Sequence, residues 1–141
     1  MTRGEITALV DRRRAAWAAR DAAALAAIHA EDGTVASPTA GVLEGREEIE
    51  GVYRSWLAAF PDLIVHQDDL LIDGDRVAEL ARLTGTHAGD FFGMAPTGRH
   101  IEVLLAVVMH VADGVVRHEH RIYDFTGLLV QVGVLKAKPT A

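Results

Sequence analysis

The sequence predicts an α+β domain in which helices come first and a curved, mostly antiparallel sheet follows. Helical periodicity carries the chain as far as Phe60 and ends at Pro61. Beyond it, alternating segments are divided by two turn signals, Asp73-Gly74-Asp75 and Asp113-Gly114. The 141 residues, 50% hydrophobic, are enough for one domain over 1–141 with a full core.

The first helix is expected from Glu5 to about Arg20, with Ile6, Leu9, Val10 and Trp17 on one side. Asp21 can cap a second, short helix reaching Ile28 and His29. The turn-rich stretch from Glu31 to Gly45 leaves room for short strands near Thr34–Ser37 and Val42–Glu44. A third helix is predicted from Arg46 to Phe60, burying Ile49, Val52, Tyr53, Trp56, Leu57 and Phe60. Strands Leu63–Ile72 and Arg76–His87 then form one hairpin, and residues 101–124 form another. Between them, 88–98 is a loop holding Phe91 and Phe92, read as a flap or a subunit contact. His87 and His100 flank it as surface residues. Thr126–Leu135 predicts a helical turn and a last short strand, and Lys136–Ala141 a frayed end.

Composition excludes several classes of function. A net charge of -6 argues against a nucleic-acid partner, and Arg12-Arg13-Arg14 reads as a solvated helix face. With no cysteine, there is no disulfide, thiolate nucleophile or cysteine-ligated metal. No apolar run is long enough to span a membrane, and the N-terminus lacks a signal-peptide core, so a cytoplasmic protein is expected.

The 101–124 hairpin concentrates the chemistry. It carries His110, His118, His120 and Asp124 among aliphatic neighbours, in a chain with 7 histidines. Alternation puts Val116, His118, His120, Ile122 and Asp124 on one face, and Arg117, Glu119, Arg121 and Tyr123 on the other. A two-residue Asp113-Gly114 turn would place His110 opposite Arg117. A three-residue turn over Ala112–Gly114 would place it with Asp124. Periodicity leaves both registers open.

Several segments together resemble the SnoaL-like polyketide cyclases. Gly45-Arg46-Glu47-Glu48-Ile49 and Phe60-Pro61-Asp62-Leu63 are similar to the bounds of that family's third helix. Asp73-Gly74-Asp75-Arg76-Val77 is similar to its first hairpin, and Thr84–Gly89 with Gly93–Arg99 to its loop. Asp113-Gly114 through Asp124, followed by Gly127-Leu128-Leu129-Val130-Gln131-Val132-Gly133, resembles its C-terminal signature. The resemblance implies the cone-shaped fold of nuclear transport factor 2, with three helices and a curved sheet around a deep pocket. It implies ring closure by intramolecular aldol condensation, with no metal and no cofactor. It matches the catalytic aspartate to Asp124 and an assisting histidine to His110, and so favours the three-residue turn. Where relatives often carry a large aromatic, this chain has His120.

On this reading Asp124 takes a proton from carbon beside a carbonyl, and burial near Leu104, Ala106, Val108 and Ile122 strengthens it as a base. His110 donates to the developing enolate. His118, His120 and His29 add polar lining, and Tyr53 and Trp56 wall the pocket for a small apolar or aromatic carbonyl ligand. Plainer readings stand beside these. Asp124 can cap the turn that follows it, His110 can be a surface residue, and Tyr53 and Trp56 can be core. His118 and His120, with His110 or Asp124, have zinc-compatible alternation, although no metal is expected. The same scaffold also serves isomerases, dehydratases, epoxide hydrolases and non-catalytic binding proteins. The aliphatic odd-numbered face of the hairpin, with Val103, Leu105, Val107 and Met109, predicts a homodimer packed sheet to sheet.

Overall fold

The structure, a computed structural model, describes residues 1–136. Helices α1 (Arg3–Ala18) and α2 (Ala22–Ala27) lead into strands β1 (His29–Ser37) and β2 (Gly41–Glu44). Helix α3 (Gly45–Ala59) follows, then strands β3 (Ile64–Asp73), β4 (Arg76–Thr86), β5 (His100–Ala112) and β6 (Val115–Tyr123), and a short helix α4 (Phe125–Gln131). The strands form one curved open sheet in the order β2-β1-β6-β5-β4-β3, antiparallel except where β1 runs parallel to β6. No described helix is long and apolar enough to cross a membrane.

Local chemistry sets the helix bounds. Thr2 and Glu5 cap α1 reciprocally, each side chain bonding the other's backbone N–H. The Asp21 carboxylate accepts from Ala24 N–H and starts α2. Gly45, at φ 83°, turns the chain into α3. Ile49, Val52, Tyr53, Trp56 and Ala59 are the buried stripe of α3, and Pro61 prevents its continuation.

The second helix stops at Ala27, two residues short of His29, which opens β1 instead. That strand is longer than its sequence suggests because a bulge around Gly33 interrupts its alternation. A Cβ on Gly33 would meet the Ala30 carbonyl oxygen at 3.0 Å. No strand follows α4 among the described residues. Turns run from Val132 to Leu135 instead, and residues 137–141 of the expected frayed end lie outside the description.

The β5–β6 turn differs from the register the resemblance favoured. Ala112 pairs directly with Val115, and Asp113 (φ 54°) and Gly114 (φ 79°) form a two-residue turn. A bulge at Arg117 then shifts the register, so His110 faces His118 after all. The three-residue turn is therefore absent, yet the bulge still places His110 on the face of His118 and His120.

The sheet has two unlike faces. Val77, Ala81, Leu83, Ile101, Val103, Val107 and Met109 point inward under the helices and are buried. The even-numbered face is open, with Leu80, Leu104, Val108 and Ile122 exposed. The odd-numbered face, assigned above to a second subunit, is thus covered by the chain's own helices.

Candidate functional site

The inner face of the hairpin carries Glu119, Arg121 and Tyr123, and two of these are charged and buried. Glu119 is the hub. Arg13 Nη1 donates to its Oε2 at 3.0 Å, and His29 Nε2 lies 2.8 Å from the same oxygen. Arg121 Nε donates to Oε1 at 2.6 Å. The other ring nitrogen of His29 lies 3.2 Å from the Leu25 carbonyl, which can only accept. His29 therefore lies between two acceptors, the Leu25 carbonyl and the Glu119 carboxylate.

Burial alone would push the Glu119 pKa up, but Arg13, Arg121 and His29 outweigh it and hold the carboxyl well below its ordinary range. Burial likewise opposes the charges of Arg13 and Arg121, yet for Arg13 Glu119, and for Arg121 Tyr53 and Glu119, keep both guanidinium pKa values raised. The Tyr53 hydroxyl is pushed up by burial despite the two arginines. The Arg121 guanidinium lies over the Tyr53 ring, 4.6 Å from its centroid. Tyr123 hydrogen-bonds Thr39 at 2.7 Å, and burial raises its pKa as well.

Above this network the cone is nearly filled. Trp56 packs against Phe60, Phe91 and Tyr123, at ring separations of 5.7, 4.8 and 5.8 Å. What remains is a cavity of about 30 Å³ lined by Arg13, Trp17, Tyr53, Arg121 and Tyr123 among others, room for little more than one water. The larger space is a cleft of about 630 Å³ between α1 and β3, with Glu79 and Gln67 in its lining. Trp17 and Leu63 line both spaces. The deep pocket expected within the cone is thus a narrow chamber adjoining a wide cleft, because aromatic side chains fill the cone.

Five buried polar atoms on these two linings have no hydrogen-bond partner among the described residues: Arg13 Nε, Trp17 Nε1, Gln67 Nε2, Glu79 Oε2 and Arg121 Nη2. Folded proteins leave few such atoms. They lie on the linings of two spaces that share Trp17 and Leu63.

The profile of the SnoaL-like polyketide cyclases matches residues 7–132. The chain belongs to the SnoaL-like polyketide cyclase family. Solved structures agree with this SnoaL-like assignment. AclR from Streptomyces galilaeus, proposed to be a hydroxylase, is 28% identical with TM-score 0.84, and the match covers 98% of this chain and 87% of AclR. TsrD from Streptomyces laurentii is 25% identical with TM-score 0.84, covering 96% and 99%. IdmH from Streptomyces antibioticus, proposed to be a polyketide cyclase, is 28% identical with TM-score 0.76, covering 90% and 97%. No curated protein matches the sequence at a significant level. Architecture and family together establish a SnoaL-like α+β fold of the nuclear transport factor 2 type.

Within this SnoaL-like chain the sequence-derived site divides in two. His29, Tyr53 and Trp56 are inside, in the network or on the narrow chamber. His118, His120, Leu104, Val108 and Ile122 are exposed on the outer face, with Ala106 partly so. His110 is half-buried there, its Nε2 2.7 Å from Asp75 Oδ2 and its ring 5.9 Å from that of His118. Asp124 is exposed and caps α4, accepting from Gly127 N–H at 2.8 Å. None of these last eight lies in the cone: His110, His118, His120 and Val108 line a separate open depression of about 470 Å³ on the outer face, with Thr34 and Arg76, and the placement of Asp124, Leu104, Ala106 and Ile122 around a shared pocket is corrected. The physical reason is strand parity: beyond the bulge at Arg117 the odd residues of β6 face the core and the even ones face away, while Val116, expected with His118, lies before the bulge and is buried opposite it. Among the described residues no group of three or more His, Asp or Glu side chains is placed to hold a metal ion.

Sequence reasoning missed Arg13, Glu79, Glu119 and Arg121. Arg13 was read as solvated but is 2% exposed. One signal was available: it lies in line with Ile6, Leu9, Val10 and Ala16 on the buried side of α1. Glu79 alternates with Val77 and Ala81 on β4, and such interruption of an apolar face was the available sign. His87, also read as a surface residue, is fully buried beside Phe60 and Phe91, its Nδ1 3.1 Å from Thr97 Oγ1. Phe91 fills the core and Phe92 is exposed.

Proposed function

We propose that this SnoaL-like domain, spanning 1–141, is a cofactor-independent acid–base enzyme that removes a proton next to a carbonyl and closes a ring by intramolecular aldol addition. The substrate is a small polyketide-like carbonyl compound. The observation that carries this reading is the set of unpartnered polar atoms on the chamber and cleft, four of them N–H donors and one a carboxylate oxygen. Donors aimed into a desolvated space stabilise the negative charge of an enolate oxygen without reorganising. Arg121 is held for that role by Glu119 on one side and the Tyr53 ring on the other, leaving Nη2 free.

The base role that the resemblance gave to Asp124 is not retained, because that carboxylate is committed to a helix cap in solvent. Family membership supports a cyclase-type activity, and the proposal adds the mechanism. The protein is proposed to act in the cytoplasm as a homodimer, with the exposed Leu80, Leu104, Val108 and Ile122 of one copy packed on those of another.

The test is conversion. Poly-β-ketone compounds that raise the thermal midpoint are incubated with the protein, and products are separated by chromatography and their masses measured. Aldol closure gives a cyclic product of unchanged mass, or one lighter by water after dehydration. Tight binding with no new product would make the domain a small-molecule binding protein instead.

A further inference from the structure

We infer that the α1–β3 cleft is the substrate site and that Glu79 is its catalytic base, acting on a 1,3-dicarbonyl compound whose oxygens are held by Trp17 and Gln67. This rests on the acid–base reading above and assigns it a place and a residue.

Glu79 sits in the middle of β4, facing inward between Val77 and Ala81. It is 2% exposed, and its Oε2 has no partner. A buried carboxylate is ordinarily paired with a cation or with several N–H groups. Glu119, one strand pair away, shows the ordinary solution, with three nitrogens on its two oxygens. Strand register links the two carboxylates. Val77 pairs with Met109, and Met109 with Glu119, while Glu79 pairs with Val107, and Val107 with Arg121. Both carboxylates therefore face the same interior. Both arginines donate to Glu119, and although Arg13 is near enough for the Glu79 charge to act on it, neither donates to Glu79, whose Oε2 has no partner among the described residues. Glu79 is part of the lining of the cleft of about 630 Å³, a volume suited to a small organic molecule.

The other groups of the cleft define the chemistry of the ligand. Trp17 Nε1 and Gln67 Nε2 can donate, and both are buried without partners on the same lining as Glu79. Gln67 is held beside Ala81 in the β3–β4 pairing, one step diagonal from Glu79 on the inner face. A ligand that satisfies all three needs two acceptor oxygens and, between them, a hydrogen that can leave as a proton. A 1,3-dicarbonyl has that pattern.

The step balances within the ligand and Glu79. A lone pair on Oε2 takes the proton from the carbon between the carbonyls. The C–H pair becomes the C–C π bond of the enolate, and the carbonyl π pair moves to the oxygen facing the donors. The enolate carbon then adds to a further carbonyl of the same molecule, and the proton held by Glu79 passes to the alkoxide formed.

The experiment follows exchange of the C2 hydrogens of 1-phenylbutane-1,3-dione in D2O by NMR, at low buffer concentration, with and without protein. Binding is read in parallel from the Trp17 indole N–H signal, assigned by its loss in Trp17→Phe. Wild type is expected to accelerate exchange and to shift the indole signal. Glu79→Gln, which keeps the shape, is expected to shift the indole signal equally and to lose about 100-fold of the acceleration. Glu79→Asp keeps the carboxylate but withdraws it by one methylene, and an intermediate loss is expected, which separates base function from a folding defect. Wild-type exchange rates in Glu79→Gln would overturn this assignment and leave the acid–base reading intact with its base elsewhere. A wild type that binds the diketone without accelerating exchange would overturn both.

Discussion

The two faces of the β5–β6 hairpin carry similar inventories and have opposite fates. The even face holds four histidines and a glutamate among aliphatic residues, and the odd face holds an acid, an arginine and a tyrosine among aliphatic residues. By type, the even face looks the more catalytic. The structure buries the odd one. There Glu119 and Arg121 meet Arg13 from α1 and His29 from β1, partners far away in sequence. On the even face His110 and His118 find only Asp75 and Thr34, near the solvent. Titratable side chains gain chemical power from what is packed around them, and neither face reveals its surroundings in its own residues.

The largest expected effect that tests this contrast is on Glu119. Glu119→Ala leaves Arg13 and Arg121 buried without their counter-charge, and a loss of about 3–5 kcal/mol is expected in urea unfolding. His118→Ala or His120→Ala on the opposite face should change stability by no more than about 0.5 kcal/mol. Comparable losses on both faces would end the distinction.

The pH dependence sharpens it. The Glu119 pKa is lowered in the folded chain from the ordinary 4.5. An unfolded chain therefore binds the proton more readily. The stabilisation from Glu119 is complete above the ordinary value and is lost as pH falls through the lowered one. Wild type should destabilise steeply on acidification below about 4.5. Glu119→Gln, already weakened at neutral pH, should show a shallower acid limb in thermal melts at stepped pH.

A smaller effect is expected at Asp124. Asp124→Ala removes the cap of α4 and should cost about 1 kcal/mol. Asp124→Asn should then match wild type in turnover on any substrate found. A loss of about 100-fold in that variant would return the base role to Asp124 and move the site to the rim of the sheet.

The smallest effect on stability, with the clearest effect on assembly, is expected on the open face. Leu104→Lys combined with Ile122→Lys places two cations on the proposed dimer surface. The folded subunit should lose less than about 1 kcal/mol, and light scattering should change from a dimer to a monomer mass. A wild type that is already monomeric at micromolar concentration would remove the dimer.

The architecture was legible because its signals are local. Periodicity marked α1 and α3, Pro61 marked the change of regime, and the Asp-Gly pairs marked both hairpins. The linear sequence also placed Tyr53 and Trp56 on one buried stripe, since residues three apart on a helix share a side whatever the fold. It determined too that His118 and His120 stand together, opposite Glu119 and Arg121, because alternation along a strand requires it.

Which of those two sets is inside was decided only by the tertiary structure. Alternation gives two faces and no sign to tell them apart, and both faces of β5 are rich in aliphatic residues. The sign comes from α1 and α3 covering one side of the sheet, with Arg13 placed above Glu119 by a contact across 106 positions of sequence. The same nonlocal packing leaves the Glu79 Oε2 without a hydrogen-bond partner among the described residues and opens a cleft beside it. A charge balance spread over three separate elements, and a space that none of them encloses alone, exist only once the chain has folded.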